Sequence, residues 1–120
     1  MRAGRIMVDL IRGHVARGDS FAFETTLADR GYARWIRDWQ SAGYRVSLWF
    51  LALPSPDAAV ARVAERVGHG GHAIPDAIVR RRFAAGRENF ENLYKPLVDA
   101  WVLYDNAGEE PLLLDWGERR

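Results

Sequence analysis

With 120 residues, 48% of them apolar and 12% aromatic, the chain carries one domain's worth of material and enough for a core, which excludes a disordered or fibrous class. Its 17 basic and 16 acidic side chains leave a formal charge of +1, so no global field draws it onto nucleic acid or an anionic bilayer. Cysteine is absent, which excludes a disulfide frame, a thiolate metal site and a cysteine nucleophile, and fits a reducing cytoplasm.

Residues 3–17 place Ile6, Met7, Leu10, Ile11 and Val15 at spacings of three and four, with Arg5, Asp9, Arg12 and Arg17 between them. The pattern predicts an amphipathic helix closed by Gly18, and the interrupting charges rule out a signal-peptide core. In "DSFAFETTLADRG", the run Phe21-Ala22-Phe23 predicts a short buried strand over 20–24 that stops at Glu24, Thr25 and Thr26. Tyr32, Trp35, Ile36 and Trp39 then recur at helical spacing up to Gly43, predicting a helix over 29–42.

"YRVSLWFLAL" is apolar at nearly every position from 48 to 53, the signature of a strand, 45–53, covered on both faces. It is much too short to cross a membrane as a helix. "PSPDAAV" is a helix start, with Ser55 as cap, Pro56 at the first helical position and Asp57 in the first turn. After "GHGGHAI" a further helix starts at Pro75 and runs to Tyr94 or beyond. "AWVLYD", 100–105, reads as a strand and "PLLLDW" as a short last one. Trp35, Trp39, Trp49 and Trp101 sit on apolar stripes and read as core. The alternation predicts an α/β layered domain with a mainly parallel sheet.

In such a sheet ligands bind beyond the carboxyl ends of strands, where Glu24, Thr25 and Thr26 fall. A carboxylate there accepts hydroxyl hydrogen bonds or helps hold a magnesium ion, and a threonine both donates and accepts. Equally, Thr25 or Thr26 caps the next helix and Glu24 complements its dipole. Every basic residue but Lys95 is arginine, and Arg62, Arg66, Arg80, Arg81, Arg82 and Arg87 bracket "GHGGHAIP". Guanidinium forks suit phosphate oxygens and a glycine-hinged segment can close over a nucleotide; the alternative is a solvated cationic face paired with nearby carboxylates. His69 and His72 form an H-x-x-H pair without a third ligand nearby, so no metal site is assigned.

Together, "FAFETTL", "GYRVSLWFLALPSPDAAVARVAERV", "GGHAIPDAIVRRRF" and "LYDN" resemble the later portion of the zeta-toxin-like P-loop kinases, from about Ala3 to Asn106. The resemblance implies a three-layer P-loop kinase-like parallel sheet with flanking helices, and a single domain over 1–120 with a lid at about 66–82. It implies ATP and Mg2+ as cofactors, a sugar hydroxyl of a nucleotide sugar such as UDP-N-acetylglucosamine as acceptor, and a protein antitoxin as partner. Glu24 and Thr26 fall where the family's substrate-binding acid and threonine lie, with Phe23 packed behind them. Arg66, Arg80 and Arg82 are the phosphate-facing candidates, and His72 and Asn106 lie toward the nucleotide.

One departure is plain. No G-x-x-x-x-G-K-[ST] occurs in the chain, and the glycine segment after residue 67 follows a helix rather than the strand a phosphate loop needs. The expectation is therefore an N-terminally truncated kinase domain lacking its first strand and P-loop, inactive alone. The alternative is a non-catalytic nucleotide-sugar or protein-binding module that forms a homodimer through its unmatched strand edges.

Overall fold

A computed structural model of the chain describes residues 2–71 and 73–119, with side-chain surroundings from Ile6 onward. Among the described residues four α-helices, α1 (Arg2–Arg17), α2 (Tyr32–Ser41), α3 (Pro56–Gly68) and α4 (Asp76–Asn89), accompany three strands, β1 (Ser47–Ala52), β2 (Ala100–Asp105) and β3 (Leu112–Glu118). This is a mixed α/β fold with helices flanking one face of a sheet of order β1-β2-β3. β1 and β2 run parallel, as the crossover through α3 and α4 demands, while β3 returns antiparallel to β2. The Asp99 carboxylate sets the parallel register by accepting the Val46 N–H at 2.7 Å.

The start of α3 is as the sequence predicts. The Ser55 hydroxyl accepts the Ala58 N–H at 3.1 Å, Pro56 opens the helix and Asp57 lies in its first turn. α4 departs from a plain α-helix: its last turns widen into a π-helix, Phe90–Tyr94. The wider turn keeps Asn89, Phe90 and Tyr94 all buried, with Phe90 and Tyr94 at 0% exposure.

The expected strand over 20–24 is absent from the sheet. The segment is extended but joins no ladder. What holds it is aromatic packing: Phe21 and Phe23 meet Trp39 edge-on at 5.4 and 6.0 Å, and Phe23 lies 5.4 Å from Tyr32. The Tyr44 hydroxyl fixes its approach by donating to the Asp19 carbonyl at 2.8 Å. Alternating phenylalanines thus dock on a helix, α2, where the sequence suggests a sheet neighbour.

β1 corrects a second expectation, since only one of its faces is covered. Leu48 and Phe50 face the core, and Phe50 stacks on Phe90 at 4.4 Å. Trp49 and Leu51 face the other way and are exposed, so Trp49 is not a core residue. Trp39 is buried, and Trp35 and Trp101 are half-buried against the core.

Candidate functional site

The segment after Phe23 is built as a chain of tight local turns. The Thr25 hydroxyl accepts the Leu27 N–H at 3.2 Å, the Thr26 hydroxyl accepts the Ala28 N–H at 3.3 Å, and the Asp29 carboxylate accepts the Gly31 N–H at 2.7 Å. Glu24, Thr25 and Thr26 are exposed at its tip, whereas Leu27 is buried and anchors the loop in the core. Leu27 has φ 60, a left-handed conformation that a leucine adopts only where its surroundings impose it. Because each threonine hydroxyl accepts locally, its own proton remains to donate outward.

The surroundings that impose this shape come from α4 and the π-helix. The Asn89 amide, buried at 6% exposure, donates to the carbonyls of Leu27 at 2.8 Å and Ala28 at 3.2 Å. The Tyr94 hydroxyl donates to the Asp29 carbonyl. Burial, with the Asp29 charge nearby, raises the Tyr94 pKa above the ordinary 10.0 and keeps the phenol protonated as a donor. At Gly86 the helix comes so close to the loop that a Cβ would lie 2.3 Å from the Thr26 carbonyl oxygen. Gly86, Asn89 and Tyr94 therefore grip residues 26–29 from one side and present Glu24 and Thr26 to solvent.

Sequence reasoning missed all three gripping residues, though two left a signal. A glycine inside "FAAGREN" weakens a helix by about 1 kcal/mol, which asks for a packing reason. An asparagine beside Phe90 on an apolar stripe asks where its amide goes.

The arginines occupy the other end of α4 and the face of α3. Arg66 lines an open hollow of ≈ 400 Å³ with Arg62, Glu65, His69, Gly70 and Gly71. Gly70, at φ 95, supplies the positive φ with which the chain turns out of α3. Arg80 pairs with Asp57 at 2.6 Å, tying α4 to the first turn of α3, and Arg82 is exposed. Asn106 closes the sheet end: its N–H donates to the Ala52 carbonyl and its carbonyl accepts from Arg62, both at 2.8 Å. His72 lies outside the described residues.

A second hollow, ≈ 180 Å³, runs between the extended segment and β1, lined by Phe21, Phe23, Thr25, Ile36, Trp39 and Leu48 among others. It shares no lining residue with the arginine hollow. The structure thus presents Glu24 and Thr26 on one loop and brings Arg62 to Asn106, but does not bring Arg66 and the loop tip into one hollow.

The donor set does not fit a triphosphate cradle. The sequence has no Gly-Lys-Ser/Thr loop, and the chain's single lysine, Lys95, is engaged over the Trp101 ring at 4.2 Å and with Glu91 at 3.2 Å. Among the described residues no three His, Cys, Asp or Glu side chains cluster as a metal site, and no helix is long and apolar enough to cross a membrane.

The zeta toxin family model matches residues 2–115, and the chain belongs to that family. Comparison with curated proteins and with solved structures gave no match.

Proposed function

We propose that the chain forms the acceptor-binding and phosphate-facing portion of a zeta-toxin-type kinase domain, a single cytoplasmic domain over 1–120 with a lid at about 66–82. The acceptor is a sugar hydroxyl of a nucleotide sugar such as UDP-N-acetylglucosamine. The observation that carries this reading is the loop itself: Glu24 and Thr26 are presented together on a backbone held by Asn89 and Tyr94. In the family such an acid and threonine hold the substrate.

In this reading the Glu24 carboxylate accepts the acceptor hydroxyl proton as a hydrogen bond, and Thr26 donates to a neighbouring oxygen. Arg66 and Arg82 approach the phosphates when the Gly70–Gly71 hinge closes. Arg80 either holds that lid through Asp57 or exchanges its carboxylate for phosphate. ATP and Mg2+ supply the phosphoryl group and its charge neutralisation in the family. No step is assigned to them on these residues, which do not form their cradle. By family resemblance His72 and Asn106 are assigned to nucleotide binding, and an antitoxin protein is the expected partner.

Calorimetric titration tests the reading. UDP-N-acetylglucosamine binds at one site per chain, Glu24→Ala weakens it at least about tenfold, as loss of a charged hydrogen-bonding partner does, and ATP gives no binding heat. Equal affinity in the variant sinks the site. The non-catalytic module is the second reading, favoured by the open edge of β1; sugar-nucleotide binding to the chain with no phosphotransfer in any context supports it.

A further inference from the structure

The outer face of the sheet is apolar and bare. Cross-strand register puts Trp49 opposite Val102 and Val102 opposite Trp116, and Leu51 opposite Tyr104 and Tyr104 opposite Leu113, so all six side chains share that face. The rings of Trp49 and Tyr104 lie 6.4 Å apart, making the patch continuous. Trp49, Leu51, Leu113 and Trp116 are 69%, 52%, 58% and 63% exposed. A contiguous apolar patch of this kind marks an interaction surface.

We propose that this face is the interface of a homodimer, two copies packing sheet against sheet about a two-fold axis. Size supports the second copy as occupant: the four exposed side chains offer on the order of 500 Å² of apolar surface per copy, or about 1,000 Å² for the pair, where specific interfaces begin. Charge supports it too. The charged pair at one end of this face, Arg45 with Glu118 at 2.6 Å, neutralises itself within each copy, so like faces meet without opposing like charges. A two-fold axis makes the face its own complement, and two such sheets pack about 10 Å apart with strands roughly 30° from aligned. The contact buries the sheet face and leaves the strand edges free, unlike an edge-paired dimer.

Sedimentation of the full chain over about 1 to 100 μM, the range expected of an interface this small, decides the matter. The expected result is a reversible monomer–dimer equilibrium in which Trp49→Glu and Trp116→Glu each raise the dimer Kd about 30-fold or more, the effect of removing a central aromatic anchor. Leu10→Glu, at an exposed apolar position on α1, leaves the Kd unchanged. Independently of any variant, iodide quenching of tryptophan emission falls as the unmodified chain is concentrated. The proposal is overturned by a monomer across the range, by open-ended growth, by a dimer that survives both tryptophan variants, by loss of the dimer in Leu10→Glu, or by concentration-independent quenching.

Discussion

The two faces of the sheet carry side chains of the same kind and meet opposite fates. On the inner face Phe50, Trp101 and Leu103 pack beneath the π-helix, where Phe90 stacks on Phe50 and meets Trp101 edge-on at 6.0 Å. On the outer face Trp49, Leu51 and Trp116 are as apolar and lie open. Apolar composition therefore supplies the capacity to be buried, and the partner element decides whether burial stabilises the monomer. Only the inner face is tied to the candidate loop, through Asn89 and Tyr94 of the helix that covers it.

The sharpest way to break that comparison is to truncate one residue on each face. Phe90→Ala, at 0% exposure, is expected to cost about 3–5 kcal/mol. Leu113→Thr on the outer face is expected to stay within about 0.5 kcal/mol. Denaturant titration at a concentration where the chain is monomeric measures both, and equal losses would mean the outer face is packed.

The grip on the loop comes next in size. Asn89→Leu leaves the Leu27 and Ala28 carbonyls without their donor, an expected loss of about 1–3 kcal/mol. Faster amide hydrogen exchange should be confined to residues 25–31, with the strands still protected. Uniformly faster exchange would make Asn89 a core residue and nothing more.

The smallest effect separates charge from packing. Since the folded pKa of Tyr94 is raised, the native state holds a proton that the unfolded chain gives up near pH 10, so the contribution is complete below about pH 10 and is lost as pH climbs through the folded value. Tyr94→Phe should be less stable by about 0.5–1.5 kcal/mol at neutral pH, with the gap to the parent narrowing in alkali. A gap that widens with pH would reverse the sign and exclude a protonated donor.

Much of the fold was legible because local rules and tertiary context agree at those places. Ser55, Pro56 and Asp57 start α3 by cap chemistry alone, and the helical stripe of α2 from Tyr32 to Trp39 faces the core as its spacing says. Where a partner element decides, the sequence is silent. Phe21 and Phe23 alternate as well against a helix as within a sheet, so periodicity alone could not reveal that the segment lacks a ladder. The odd positions of β1 are as apolar as the even ones, which reads as two covered faces whether or not a second cover exists. Glu24 and Thr26 stood out through an abrupt change of polarity, but Gly86, Asn89 and Tyr94 lie about sixty residues away and act through backbone atoms, which leave no mark on the loop's own sequence.

The solitary lysine carries a practical consequence. Lys95 lies across the indole of Trp101 and beside Phe90, with a quarter of its side chain in contact with water. An acylating reagent therefore finds a single side-chain amine in the molecule, largely shielded at the seam between the π-turn and the sheet. Its rate of modification becomes a one-site chemical gauge of how often that seam opens.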